Sequence, residues 1–261
     1  MHEVSGQAAG PGAVSHGQLL ERLRHDGPTT RRDLLRETGL SRSTLVERIT
    51  TLQRLGLLRE GQRLPGGNGR PPVMLEVDVS SHLTLGIDLG AVHATVAVTD
   101  LSGRVLGTRR LETDLSGDPR KLLQRLVRSA TRLVEKADGG RNALLGVGLG
   151  FPGLVGRDPG TIEAPAVLRH WDGVPAGRIL ARAFGVPALL VGGPLGVLEP
   201  FQAGVRSSVD ELTYARTRRN IHVGPTVLGD RGTVTGVAAL IVDQELSPES
   251  VDQLVAGAVR G

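Results

Sequence analysis

The sequence predicts an α/β chain in two parts, a small helical domain carrying a two-stranded hairpin and a larger domain in which strands alternate with helices. Three observations carry this expectation. Between Gly27 and Asp78, two apolar helical stretches flank a glycine and lead into an alternating hairpin pattern. From Leu83 onward, apolar runs of strand length are separated by turn residues and then alternate with helical patterns. The length of 261 residues favours one small and one medium domain over a single core.

Residues 1–13 are rich in Gly and Ala without periodicity and read as a disordered tail. Val14, Leu19, Leu20 and Leu23 fit one face of a short first helix, with Ser15 near its start. Gly27 and Pro28 break it. Thr30 is placed to cap a second helix running through Thr38, with Leu34 and Leu35 inward. Gly39 supplies the permissive backbone of a tight turn, Leu40 plugs the space between helices, and Ser41 can cap a third helix from Arg42 to about Leu55. There Leu45, Ile49, Leu52 and Leu55 repeat at helical spacing, which leaves Arg42, Ser43, Thr44, Glu47 and Arg48 on the outer, N-terminal half. Leu57 to Arg59 begin an extended piece, and Val73 to Val77 alternate after the turn-rich RLPGGNGRPP.

Helix, turn, helix and hairpin in this order make a winged helix-turn-helix domain over 14–78. A recognition helix enters the major groove by its N-terminal half, where Arg pairs with guanine and Ser or Thr reaches bases or phosphates. The expected DNA-contacting residues are Thr30, Ser41, Arg42, Ser43, Thr44 and Arg48, with Arg63 and Arg70 beside the glycine-rich wing tip. Charge agrees in direction: residues 1–77 hold 11 arginines against 8 acids, whereas 78–261 are nearly balanced at 20 basic and 19 acidic.

The second part opens with LTLGIDLG, AVHATVAVTD and RVLGTRRLET, a β-meander by pattern. Asp118 caps and Pro119 opens a helix to about Ala137, with Arg120, Lys121, Arg125, Arg128 and Arg132 outward as a solvated face. Leu144–Gly150 reads as a buried strand, Ala176–Phe184 as a helix and Ala188–Val191 as another strand. Gly148, Gly150 and Gly153 form a G-x-G-x-x-G, but Pro152 and the following GRDPG disfavour the immediate helix that a dinucleotide site needs.

Composition narrows the chemistry. Without cysteine there is no disulfide, thiolate zinc site or cysteine nucleophile, and the seven histidines are too scattered for a metal site. No apolar run reaches the roughly 18 residues of a membrane helix, and the first residues lack a secretory pattern, so a cytoplasmic location is expected.

The runs GPTTRRDLLRETGLSRSTLVERITTLQRLGLLREG, GRPPVMLEVD and LTLGIDLGAVHATVAVTDLSGRVL together resemble the ROK family of repressors, open reading frames and sugar kinases, in its DNA-binding repressor branch. The resemblance implies a partial actin-like, ribonuclease-H-like ROK domain over 83–261. It aligns Asp88 and Gly90 with a nucleotide phosphate loop, and Gly150, Pro152 and Gly153 with a loop beside the sugar pocket. Both are degenerate. The Gly-Thr that follows Asp-x-Gly in the family is here Ala91-Val92, which removes a hydroxyl donor. Gly193 stands where the family's Asn-Asp-Ala places the catalytic Asp, and glycine cannot accept a proton. Glu199, the nearest carboxylate, falls two helical turns further on.

After SSVDELTYA, the family's second phosphate loop, Glu-x-Gly-His motif and Cys-rich zinc site do not appear, and Arg216 begins a stretch resembling the extreme C-terminus of ROK repressors. The expectation is an internal segment missing near Ala215 and Arg216, with helices near Thr233–Ile241 and after Ser247-Pro248. The reading is therefore a non-catalytic, pseudokinase-like regulator, a repressor of carbohydrate metabolism by resemblance. Its partner is double-stranded DNA, bound as a homo-oligomer or with a full-length relative. No cofactor, metal, membrane or complete sugar-effector site is expected. The alternatives are a sugar kinase with a remodelled active site and a shortened interaction partner of a full-length ROK repressor.

Overall fold

The computed structural model describes residues 14–63, 65, 72–138, 144–158, 160–164, 166–192 and 232–258. The expected tail 1–13, Arg70, Gly193, Glu199 and the junction near Ala215 and Arg216 lie outside them. The chain divides into two compact units, Met1–Ser81 with Asp243–Gly261, and His82–Val242. The expected division at residue 83 therefore needs one correction. The last residues, assigned from sequence to the second domain, cluster with the first.

The first unit holds α1 (His16–Asp26), α2 (Arg31–Thr38) and α3 (Arg42–Arg54), and strands β1 (Thr29–Thr30), β2 (Leu58–Arg63) and β3 (Val73–Val77). Ser15 caps α1 with a full capping box: its Oγ accepts from Gln18 N at 3.1 Å, and Gln18 Oε1 accepts from Ser15 N at 2.9 Å. Leu19, Leu20, Leu23, Leu34, Leu45, Ile49 and Leu52 are buried between the helices. Gly39 closes α2 in the left-handed region (φ 65°) and donates to Leu35 O, a turn that a Cβ would strain. The strands form an antiparallel sheet in the order β1-β3-β2, with a register shift between Glu60 and Arg63.

Thr30 caps α2. Its hydroxyl accepts from Asp33 N at 3.2 Å and donates to Asp33 Oδ2 at 2.6 Å. That bond, helped by the Arg36 guanidinium, holds the Asp33 carboxyl below its ordinary value. Because folding lowers it, the contribution is present at neutral pH and is lost as pH falls through the acid range.

The C-terminal helix α7 (Pro248–Ala258) packs on α1. Gly17 makes this possible, since a Cβ there would run into the Pro248 backbone. The Gly17 amide donates to Asp252 Oδ1 at 2.9 Å, answering one of the unpaired donors of the α1 N-terminus. Further along α1, Arg24 reaches Asp243 Oδ1 at 2.5 Å and Leu246 O at 3.3 Å. This is the physical reason that the tail clusters with the N-terminal helices.

The second unit is built on a five-stranded sheet in the order β10-β7-β4-β5-β6. Strands β4 (Leu83–Leu89), β5 (His93–Asp100) and β6 (Val105–Glu112) form the antiparallel meander, and β7 (Leu144–Phe151) and β10 (Ala188–Gly192) add in parallel. A small hairpin, β8 (Leu154–Val155) with β9 (Ile162–Glu163), follows β7. Alternation gives the sheet two different faces. Leu85, Ile87, Val147, Leu149 and Phe151 point toward the core that holds α4 (Pro119–Asp138) and α5 (Ala176–Phe184). Trp171 anchors it, its ring tilted 40° against Phe151 with centroids 5.1 Å apart and its indole N–H donated to Leu115 O at 2.9 Å.

On the other face α6 (Gly232–Glu245) crosses bare backbone. A Cβ at Gly86 would lie 2.7 Å from Val234 O, one at Gly150 2.5 Å from Thr233 Cγ2, and one at Gly148 against Val237 Cγ1. The glycines of the LGVGLG run in β7 are thus a seat for a helix. Beside it, the buried Thr84 and Thr99 satisfy each other at 2.6 Å.

Two stability outcomes follow. Gly148→Ala overpacks against the stiff Val237 side chain and should cost about 1–3 kcal/mol, lowering the midpoint of thermal unfolding by roughly 2–10 °C; an unchanged midpoint would show that α6 is not seated on β7. Thr30→Ala should cost about 0.5–2 kcal/mol in denaturant titration through loss of the cap, and no loss would remove Thr30 from that role.

Candidate nucleic-acid interface

The candidate interface lies on α3 and the hairpin beside it. Ser41 caps α3 from an extended backbone (φ −65°, ψ 154°), its Oγ accepting from Thr44 N at 3.1 Å and lying 2.9 Å from Ser43 Oγ and 2.8 Å from Thr44 Oγ1. With Leu45, Ile49 and Leu52 turned inward, helical geometry presents Arg42, Ser43, Val46, Glu47 and Thr50 on the opposite side, and all five are exposed.

The expected contact residues sort accordingly. Arg42 and Ser43 stand on the outward face. Thr44 and Arg48 lie on its flank, both half-buried, and the Arg48 Nη1 atom is covered without a hydrogen-bond partner. Thr30 does not belong with them: only 8% exposed, its hydroxyl is committed to the α2 cap and to Asp33. Arg63 is exposed at the end of β2, and Arg70 is outside the described residues. Two residues on the outward face escaped the sequence reading, Val46 (53% exposed) and Thr50. Their signal was available, since they follow Arg42 at i+4 and i+8. Glu47 is the one acid there, and its Oε1 accepts from Thr51 Oγ1 at 3.2 Å, with His16 Nε2 3.4 Å away.

Charge separates this face from the rest of the unit. Arg22, Arg24, Arg31, Arg36 and Arg59 each lie within 2.5–3.0 Å of a carboxylate, in the pairs Arg22–Glu37, Arg24–Asp243, Arg31–Glu60, Arg36–Asp33 and Arg59–Glu76. Arg32, Arg42, Arg48, Arg54 and Arg63 have no carboxylate within ion-pair distance among the described residues, Arg54 donating instead to Thr51 Oγ1 at 3.3 Å. Arg32, exposed in the first turn of α2, is a further cation that sequence reasoning did not single out.

The two loops of the second unit meet at the carboxyl ends of its parallel strands. Asp88 of β4 is in register with Gly150 of β7, and Gly192 of β10 with Phe151. Gly90 sits in the β4–β5 turn, where its N–H donates to His93 O at 3.0 Å and its carbonyl accepts from Thr113 Oγ1 at 3.0 Å. Val92 of that turn is 71% exposed. Pro152 carries no N–H, and the Gly153 N–H is donated to Phe151 O at 2.8 Å. Thr233 of α6 lies over Gly150. Among the described residues, no group of three or more His, Asp or Glu side chains could hold a metal ion, and no helix is long and apolar enough to cross a membrane.

Comparison with known proteins shows what the chain resembles. Residues 84–191 match the ROK family model. A transcriptional regulator of Mycobacterium bovis is 36% identical over 167 residues, 63% of this chain and 37% of that protein. The xylose repressor of Caldicellulosiruptor bescii is 27% identical over 70% of this chain and 46% of its own length, and that of Bacillus subtilis 24% identical over 81% and 54%. The chain thus spans between about a third and about half the length of these curated relatives. Among solved structures, a ROK family transcriptional regulator described as a homolog of the E. coli MLC protein superposes with a TM-score of 0.54 and 20% identity, over 74% of this chain and 47% of the other, a likeness of fold. Residues 84–191 thus carry the ROK match, and the chain is similar to relatives named transcriptional regulators and xylose repressors.

Proposed function

We propose that the chain is a DNA-binding transcriptional regulator, a repressor in kind, whose first unit is a winged helix-turn-helix reader and whose second unit is a non-catalytic ROK domain. One observation carries the reading. The unit pairs Arg22, Arg24, Arg31, Arg36 and Arg59 with carboxylates, yet among the described residues it leaves Arg32, Arg42, Arg48, Arg54 and Arg63 without such partners, Arg42, Arg48 and Arg63 around the N-terminal half of α3 and the hairpin. A polyanion supplies what those cations lack.

In this reading α3 lies in the major groove. Arg42 faces a guanine edge, Ser43 and Thr50 reach phosphates or bases, and Val46 meets a thymine methyl. Arg48, held against the flank, and Arg63, at the base of the wing, take phosphate positions that fix the register. Ser41 and Thr44 support this by shaping the first turn. Two such readers on adjacent turns of duplex multiply weak half-site affinities, so the active species is a homo-oligomer or a pairing with a full-length relative.

The second unit supports a regulatory rather than a catalytic role. Phosphoryl transfer needs free backbone donors for phosphate and a base aligned with the sugar hydroxyl. The Gly90 amide is already bonded within its turn, Val92 replaces a hydroxyl donor, Pro152 has no N–H and the Gly153 amide is turned inward. Gly193 stands in sequence where the family base is expected. A coupled ATP assay over a panel of sugars should show no turnover above background.

For the reader, Arg42→Ala should weaken binding to a duplex selected from a random pool by about 1–3 kcal/mol, roughly 5- to 150-fold, and relax the preference at one base position. Arg63→Ala should weaken all sequences alike and reduce the salt slope by about 1. Retention of full affinity and preference by Arg42→Ala in a gel-shift titration would remove α3 as the recognition helix.

A further inference from the structure

We propose that the outer face of α4 is a second, sequence-independent contact for the phosphate backbone of duplex DNA; the proposal rests on the reading of the first unit as a DNA reader, which brings duplex to the same chain. Lys121, Arg125, Arg128 and Arg132 follow one another at i+4, i+3 and i+4, so they share one row on the helix surface, and all four are exposed. The opposite row of Leu122, Leu123, Leu126, Ala130 and Val134 is buried in the sheet core. Burial of that row fixes the helix and leaves the charge of Lys121, Arg128 and Arg132 without a structural task.

The row is unfavourable for the helix itself. Like charges at i,i+4 destabilise, and Lys121 stands in the first turn, at the positive end of the helix dipole. Asp118 moderates this only as a cap, its Oδ1 accepting from the Arg120 and Lys121 amides at 2.8 and 3.4 Å. Arg125 donates to the Glu112 carbonyl. Lys121, Arg128 and Arg132 have no carboxylate within ion-pair distance among the described residues, whereas Arg178 of the same unit is paired with Asp158 at 3.1 Å.

The sheet extends the patch. Gly107 of β6 faces α4, with Leu133 Cδ1 3.1 Å from where a Cβ would stand, and the two-residue period puts the exposed Arg109 on the same side. From Lys121 to Arg132 the helix rises about 16 Å, one cation per roughly 4–6 Å. A duplex strand carries one phosphate per about 3.4 Å of axis, so such a row can meet several phosphates. An anionic membrane fits less well, because the apolar side of α4 is already inside the core and no lipid-facing stripe is left.

The test uses the full chain and a mixed-sequence duplex, with binding followed by fluorescence anisotropy from about 50 to 200 mM salt. K121Q/R128Q/R132Q should flatten the slope of log K against log salt by about 2–3, since each lost phosphate contact removes about 0.9. R128K/R132K, which keeps the charge, should retain the slope, and neither variant should unfold at a lower temperature than the parent, because these side chains are exposed and the glutamines relieve the like-charge row. A glutamine variant with the parental slope and affinity overturns the proposal and leaves the face to an acidic protein. The reader stands or falls separately. If the glutamine variant loses slope while no duplex sequence is preferred by the parent chain, the α4 contact holds and the reader does not; a parent chain that binds no duplex at low salt overturns both.

Discussion

The last two helices can sit where they do only because the backbone beneath them is bare. In the second unit α6 lies across Gly86, Gly148 and Gly150, three positions on one face of adjacent strands where a Cβ would strike Val234, Val237 or Thr233. In the first, α7 lies against Gly17, where a Cβ would strike the Pro248 backbone. Interiors pack at near-crystalline density, so a single methylene at such a contact is felt. Residues 232–258 therefore complete two cores that they do not dominate in sequence. One of them contains α1, against which α3 is braced.

The same bracing shapes the outward surface of α3. The outward face of α3 needs a rigid support on its inner side, and Leu19, Leu20 and Leu23 of α1 provide it together with Leu45, Ile49 and Leu52. The tail contributes Asp252 to the Gly17 amide and Asp243 to Arg24. An arginine already paired with a carboxylate does not compete for phosphate, and the cations left uncompensated are those of α3, the start of α2 and the end of β2. Position on the fold, more than net charge, distinguishes them.

Much of this was legible in the residues because the signals were local. Ser15, Thr30, Ser41 and Asp118 are caps at helix starts, and Gly39 and Leu45-Ile49-Leu52 set the turn and the buried row of α3. The meander, α5 and the two parallel strands fall within a residue or two of expectation, because apolar runs bounded by Gly and Pro leave little choice. What was not legible depends on partners distant in sequence. That the glycines of LGVGLG seat a helix is visible only once α6, some 85 residues later, is seen lying on them. No local pattern ties Gly17 to Asp252. Thr30 illustrates the reverse error: a residue type that suits both a cap and a phosphate was counted for both, and burial allows only the cap.

The central claim, that the uncompensated face of α3 reads DNA sequence, is most directly tested by the affinity of the full chain for its selected duplex relative to a scrambled duplex of equal length, at physiological salt. A reader of this kind should prefer its own site by at least about a thousandfold. A ratio near one, with both duplexes bound through phosphate alone, would contradict the account.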